Sequence, residues 1–269
     1  MKPKKKLQKV HRSTAIGTFF LSLLFIVCLP AIFAQDKFAQ LEQKLQTLTD
    51  DTSKVNVLLT LGEEYCSKEN DKALMYLQEA FTIATSLNYT EGIGKSLLWQ
   101  GRVYYYKSNF SLSNKYLDKA KKPLEKSGDM ETLSFWYLAK AFSLRTTGDY
   151  VNAIKMFTKS IDLCKQGGYT IIMTTAYLGI GTTLLDRGDV DKAMEYYQEA
   201  LALAKENDDR IRVANSLTSI ARTYKSKGSL DTSIFYFRQA LKIRTELKMD
   251  RHIASSEKSI GETLIEIGH

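Results

Sequence analysis

The pattern of apolar and polar residues between Tyr177 and Lys205 is helical rather than extended. Apolar side chains recur there at intervals of three and four residues, which places them on one face of an α-helix. The polar stretch 187–189 interrupts the pattern and predicts a tight turn between two amphipathic helices. Because so short a helical hairpin cannot bury both of its faces alone, we expect further hairpins on either side.

The same pattern returns every 40 residues along the chain. The position of Gly181 in the unit is occupied by small residues in the other copies: Gly62, Gly101, Ala141, Ala221 and Gly261. The large residue Tyr197 has as its equivalents Leu77, Leu117, Phe157 and Phe237. Small residues at Ala193 and Ala200 complete the unit, and the first copy has one residue fewer in its turn. The predicted hairpins cover about residues 55–88, 94–127, 134–167, 174–207 and 214–247, with an incomplete sixth copy at 251–268.

This succession of small, large and small residues at fixed offsets resembles the tetratricopeptide repeat, over roughly residues 53–268. The family's unit is about 34 residues long, so the longer period here implies that each helix pair is extended by about one turn. The resemblance implies an all-α fold: a right-handed α-solenoid of about five hairpins with capping helices at both ends.

Both ends of the predicted solenoid, residues 51–269, need a cover. Residues 35–50 place four apolar side chains, among them Phe38 and Leu41, on one helical face. They predict an N-terminal capping helix, since the segment is too short for a coiled coil. At the other end, the incomplete copy leaves two interpretations open. It caps the fifth hairpin, or its apolar residues Ile260 and Leu264 form a partner surface or precede a further helix.

The first 34 residues predict a secretory signal peptide. A basic head is followed by an apolar stretch and by Ala34, a small residue suited to cleavage. An uncleaved membrane anchor is the alternative, because residues 14–34 are long enough to span a bilayer. We therefore predict an exported protein of the bacterial periplasm or cell envelope, which contacts a membrane only if the leader is retained.

The leader also accounts for most of the net charge of +8. Six of the 38 basic residues lie in it, which leaves 32 against 30 acidic residues and a mature charge of +2. So small an excess gives no reason to expect a nucleic-acid partner.

The sequence contains no recognisable catalytic or metal-binding constellation. The glycine pairs fall on helices, where the repeat explains them, and the histidines and cysteines lack the spacing of metal ligands. We therefore predict a non-enzymatic protein that needs no cofactor and acts by binding another protein or peptide.

The predicted binding surface is the concave face, which the first helix of each hairpin lines in this family. Fixed positions on these helices point into the groove: Lys95, Leu98, Arg102, Tyr105, Phe135, Leu138, Phe142, Arg145, Leu178, Asn215, Arg222 and Lys225. Aromatic anchors beside arginines are typical of protein-binding surfaces, and the basic side chains favour a peptide with acidic and apolar residues. The alternative is that longer helices close the groove and the aromatic residues pack against neighbouring repeats.

A second hypothesis comes from a further resemblance. The segment around 50–65 and the repeats that follow are similar to the extracytoplasmic region of exported bacterial sensor histidine kinases and of repeat-containing transcriptional regulators. The sequence shows no second apolar span, phosphoacceptor histidine motif or DNA-binding helix pair. The resemblance therefore implies a sensor-only or shortened relative that acts in signal transduction.

Overall fold

The computed structural model describes residues 38–268, and the predicted signal peptide and the start of the predicted cap lie outside them. The described chain is entirely helical apart from its turns. A helical segment at 38–45 (α1) is followed by α2 (Thr52–Tyr65), α3 (Asn70–Ser86), α4 (Thr90–Tyr106), α5 (Phe110–Ser127), α6 (Met130–Thr146), α7 (Tyr150–Gly167), α8 (Thr170–Asp186), α9 (Val190–Glu206), α10 (Arg210–Ser226), α11 (Leu230–Glu246) and α12 (Asp250–Ile267).

These helices pack as five consecutive hairpins, and α12 packs against α11. Each first helix also contacts the first helix of the next hairpin, from α2 through α4, α6 and α8 to α10. The second helices make no comparable contacts with one another within residues 38–268. The first helices therefore form the inner, concave side, and the prediction of an all-α solenoid is confirmed.

The small positions of the repeat allow close approach within each hairpin. A Cβ atom added at Gly181 would lie 2.5 Å from a ring carbon of Tyr197, and one added at Gly101 would lie 2.9 Å from Cγ of Leu117. Tyr197 and Leu117 are each only 1% exposed. The large residue of the second helix thus fills the space that the missing side chain leaves.

In the second to fifth hairpins, the turn between the two helices places one residue in the left-handed region. Gly188 has φ of 88°, and its equivalent Ser108 has φ of 57°. The residue after each donates its amide hydrogen to a carbonyl in the last turn of the preceding helix, as from Asp189 to Leu184 at 2.9 Å. These bonds satisfy carbonyls that would otherwise lack a partner.

The N-terminal end is covered by α1. Phe38, Leu41 and Leu45 pack against the core of the first hairpin, and Glu42 fixes the helix through polar contacts. Its carboxylate accepts hydrogen bonds from the hydroxyls of Tyr65 at 3.0 Å and Tyr76 at 2.9 Å. It also pairs with the ammonium of Lys72 at 2.7 Å.

The C-terminal helix α12 has an uncovered face. Apart from its chain neighbours and the backbone of its own helix, no atom of the described residues lies within 4 Å of a Cβ built at Gly261, and Ile265 is 73% exposed. Ile260 and Leu264 are half-buried. None of the helices within residues 38–268 is both long and apolar enough to cross a bilayer.

Candidate functional site

A pocket of about 420 Å³ opens on the concave side, between the first helices of the first four hairpins. Helix α2 contributes the largest share of its lining, and α4, α6 and α8 supply the rest. The lining residues are Asn56, Leu59, Thr60, Glu63, Lys95, Leu98, Trp99, Glu131, Thr132, Phe135 and Ile172.

The floor and walls of the pocket are apolar. Leu59, Leu98 and Ile172 are buried and form the floor. The half-buried rings of Trp99 and Phe135 stand beside them, with centroids 5.2 Å apart and planes tilted by 39°. Such a surface stabilises an apolar or aromatic side chain inserted from outside.

Arg102 lies at the edge of the pocket, among aromatic rings. Its guanidinium carbon is 5.1 Å from the ring centroid of Phe135 and 6.0 Å from that of Trp99. It also lies 5.3 Å from the ring of Tyr106 and donates a 2.8 Å hydrogen bond to that hydroxyl. Its Nε is buried without a hydrogen-bond partner among the described residues. Cation–π contacts therefore hold the guanidinium in place.

The charge of Lys95 is already balanced within the protein. Its ammonium lies 2.5 Å from the carboxylate of Glu91 and 3.0 Å from that of Asp129. Burial by itself would lower the pKa of Lys95, but the hydrogen bonds to these two carboxylates outweigh it and raise the pKa. Lys95 therefore offers a ligand little free positive charge.

Two carboxylates of the pocket have no such partner. Within residues 38–268, neither Glu63 nor Glu131 forms an ion pair with a lysine or arginine, and both side chains reach solvent. Desolvation raises the pKa of Glu63, and the neighbouring charge of Glu64 adds to the effect. The positive charges of Arg102 and Lys95 oppose this rise without cancelling it.

The structure places the remaining predicted groove residues in several different environments. Leu138 is buried, and Leu178 is half-buried against the central core. Phe142 packs edge-on against Phe157, with ring centroids 5.1 Å apart. Tyr105 packs against Phe110 at 5.6 Å.

Several of the predicted polar residues have partners within the chain. Arg145 pairs with Asp186 at 2.7 Å, and Lys225 pairs with Glu266 at 2.7 Å. Asn215 accepts a hydrogen bond of 3.1 Å from Arg244. Arg222 is exposed on α10. Of the predicted set, Lys95, Leu98 and Phe135 line the pocket, with Arg102 beside it, and the groove as a whole stays a prediction.

The pocket also contains residues that the sequence interpretation missed. Moving the positions of Lys95, Leu98 and Arg102 back by one repeat leads to Asn56, Leu59 and Glu63, all of which line the pocket. The signal that identifies them is Gly62, which fixes the register of the weaker first copy because it is the equivalent of Gly101.

The described residues give no sign of a metal site or of a reactive thiol. No group of three or more histidine, cysteine or acidic residues between 38 and 268 is placed to hold a metal ion. Cys66 and Cys164 are free and buried, and burial raises the pKa of Cys66 to about 12. A thiol with so high a pKa stays protonated at neutral pH and is a poor nucleophile.

Comparisons with known proteins agree with the repeat architecture. Residues 131–206 and 172–246 match a family model described as tetratricopeptide repeat. No curated protein matches the chain in sequence.

Solved structures with a similar fold have low sequence identity. NprR in complex with its cognate peptide NprX has a TM-score of 0.66 and 14% identity, over 95% of this chain and 79% of that one. A Rap protein complexed with competence and sporulation factor has a TM-score of 0.65 and 16% identity, over 93% and 74%. A signal transduction ATPase with a tetratricopeptide repeat sensor from Pyrococcus horikoshii has a TM-score of 0.61 and 15% identity, over 84% and 39%. These identities establish a shared fold alone.

Proposed function

We propose that this chain, whose residues 131–206 and 172–246 match the tetratricopeptide-repeat model, binds a peptide or an extended segment of another protein on its concave side, without catalysing a reaction. The observation that carries the proposal is the pocket between α2, α4, α6 and α8. It combines an apolar floor, two half-buried aromatic walls and polar groups at its rim. An apolar pocket with a few polar groups around it is the usual form of a ligand-binding site in proteins. Two of the similar structures hold a peptide or a factor according to their descriptions, which supports the proposal.

The test is affinity capture with the full chain and a pocket variant, Trp99→Ala with Phe135→Ala. The matched control is Phe235→Ala with Val151→Ala, because these side chains are 58% and 72% exposed on second helices, away from the pocket. Proteins or peptides retained by the wild type and the control, and lost by the pocket variant, would support the proposal. Retention by all three proteins would place the binding surface elsewhere.

We also propose export to the bacterial envelope, on the sequence of the first 34 residues alone. The expected result is that the protein recovered from a bacterial envelope fraction begins at Gln35. A mature protein that still begins at Met1, or that stays in the cytoplasm, would contradict export with cleavage.

A role in signal transduction, as a sensor-only or shortened relative of a larger regulator, is the second candidate. The fold shared with a sensor of a signal transduction ATPase favours it. The capture experiment separates the two candidates. A retained protein with a kinase or DNA-binding module would support the signalling role, and retention of structural envelope proteins alone would argue against it.

A further inference from the structure

The balance of charge around the pocket is acidic, although the groove was predicted to be basic. Lys95 is paired with two carboxylates, Glu91 and Asp129. Glu63 and Glu131 add two further negative charges, and Arg102 is the single cation nearby without a carboxylate partner among the described residues. Four carboxylates thus face two cations in this part of the concave side.

The two free carboxylates stand on opposite sides of the pocket. Glu63 belongs to α2 and Glu131 to α6, and α4 lies between these helices with Leu98 and Trp99 facing the cavity. The carboxylates reach solvent, whereas Leu98 is fully buried. An approaching chain therefore meets negative charge at the rim and apolar surface below it.

We propose that the bound segment carries a lysine or arginine next to a large apolar residue. The apolar side chain fills the space over Leu59, Leu98 and Ile172, between the rings of Trp99 and Phe135. The basic side chain pairs with Glu63 or Glu131 at the rim. This inference rests on the proposed function and names the chemistry of its ligand.

Partial desolvation strengthens the preference for a cation. A carboxylate among protein atoms gains more from an opposite charge than one surrounded by water. The raised pKa of Glu63 shows that its charged form lacks full compensation in the free protein. A ligand cation would supply that compensation, and a ligand carboxylate would face repulsion from both rim residues.

The role of Arg102 follows from the same geometry. Its guanidinium lies 6.0 Å from the ring centroid of Trp99 and 5.1 Å from that of Phe135, and it donates a hydrogen bond to the Tyr106 hydroxyl. It therefore positions the aromatic walls of the pocket.

The experiment selects peptides from a random dodecamer library displayed on phage, using the full chain as bait. Three variants are selected in parallel: Glu63→Gln with Glu131→Gln, Glu63→Lys with Glu131→Lys, and Trp99→Ala with Phe135→Ala. The control is Glu195→Gln with Glu199→Gln, which removes the same charge from exposed positions on α9. Circular dichroism checks that each variant keeps its helical content.

We expect the wild type and the control to enrich peptides with lysine or arginine beside a large apolar residue. For a selected peptide, the Gln double variant should weaken the Kd about threefold, because one solvent-exposed ion pair of modest strength is lost whichever of the two carboxylates forms it. The Lys double variant should enrich acidic peptides instead.

Two outcomes would overturn the inference, and they can be told apart. Selection of neutral or acidic peptides that still depends on Trp99 and Phe135 would refute the cationic ligand and leave the proposed function intact. Selection that is unaffected by the aromatic variant, or no selection at all, would refute peptide binding in this pocket and the cationic ligand with it.

Discussion

Gly181 and Gly261 occupy the same position in the 40-residue unit, but only Gly181 faces a second helix. A Cβ at Gly181 would lie 2.5 Å from the Tyr197 ring and 3.1 Å from the carbonyl oxygen of Ala193. Apart from its chain neighbours and the backbone of α12 itself, no atom of the described chain lies within 4 Å of the same point at Gly261. Equivalent glycines are thus packed against a second helix in α8 and left without such a neighbour in α12, as far as the described residues show.

This difference separates two effects of a glycine in a helix: the loss of helix propensity, and the close packing that its missing side chain allows. Glycine weakens an isolated helix relative to alanine or leucine at either position. At Gly181 that cost is offset by the close approach of Tyr197, which is 1% exposed. At Gly261 nothing within the described residues offsets it. The repeat pattern therefore marks a position where a second helix can pack closely. The glycine contributes to stability only where that helix is present.

The largest effect is expected for Gly181→Leu compared with Gly261→Leu. At Gly181 the new side chain must displace Tyr197 and press on backbone, so we expect a loss of about 3 kcal/mol in the free energy of unfolding. At Gly261 we expect a change between zero and a gain of about 0.5 kcal/mol, because leucine favours the helix and meets open space. Urea unfolding followed by circular dichroism measures both.

Because the two substitutions change helix propensity equally, their difference reports packing alone. Equal destabilisation at the two sites would mean that another surface covers Gly261 in solution. Gly261→Ala then serves as a control, since it adds a methyl group and improves helix propensity without further bulk.

Sequence reasoning succeeded for the interior of the solenoid because close packing constrains it. Gly181 and Tyr197 depend on each other across the hairpin, and this dependence repeats at a fixed interval that the sequence displays. The three- and four-residue spacing of the apolar positions predicts helices, and the resemblance to the tetratricopeptide repeat implies that they stack as a solenoid. Because first and second helices alternate along the chain, the first helices follow one another in chain order on the inner side.

The charge of the concave side was not predictable in the same way. Lys95 was expected to attract an acidic partner, yet its ammonium is neutralised by Glu91 one turn earlier and by Asp129 from the next hairpin. Asp129 also caps α6 by accepting the amide hydrogen of Thr132. Whether a given charge is paired depends on which residues its own hairpin and the next one supply at that point, as Glu91 and Asp129 do for Lys95.

An intermediate effect on stability is expected at Glu42, in a comparison of the N-terminal helix α1 with the C-terminal helix α12. Replacing Glu42 with alanine removes the acceptor for Tyr65, Tyr76 and Lys72, and we expect a loss of about 1–2 kcal/mol. Glu262→Ala on α12 is the control, because its contact with Lys258 is long and exposed, at 3.8 Å. The measurements are urea unfolding and hydrogen exchange of the α1 amides.

The same residue gives a pH dependence. The hydrogen bond from Lys72 lowers the pKa of Glu42 below its usual 4.5, and the tyrosine hydroxyls assist. A carboxyl whose pKa is depressed in the folded state stabilises the fold fully above its unfolded pKa, and loses that contribution as the pH falls through the folded value. The difference in stability between wild type and Glu42→Ala should therefore shrink below about pH 4.5. A difference that is constant from pH 7 to pH 3 would contradict this origin.

The smallest effects are expected at the turns, where Gly188 and Ser108 form another pair of equivalent positions. Both have positive φ, 88° and 57° respectively, and a side chain in this region costs about 1 kcal/mol. Ser108→Gly should therefore stabilise the protein by about 0.5 kcal/mol, since the relief of strain exceeds the entropy that glycine adds to the unfolded chain. Gly188→Ser should destabilise it by about 1 kcal/mol. A higher urea midpoint for Ser108→Gly and a lower one for Gly188→Ser, with unchanged slopes, would show that backbone strain decides the residue at this turn. The reverse pair of signs would instead point to a stabilising serine hydroxyl.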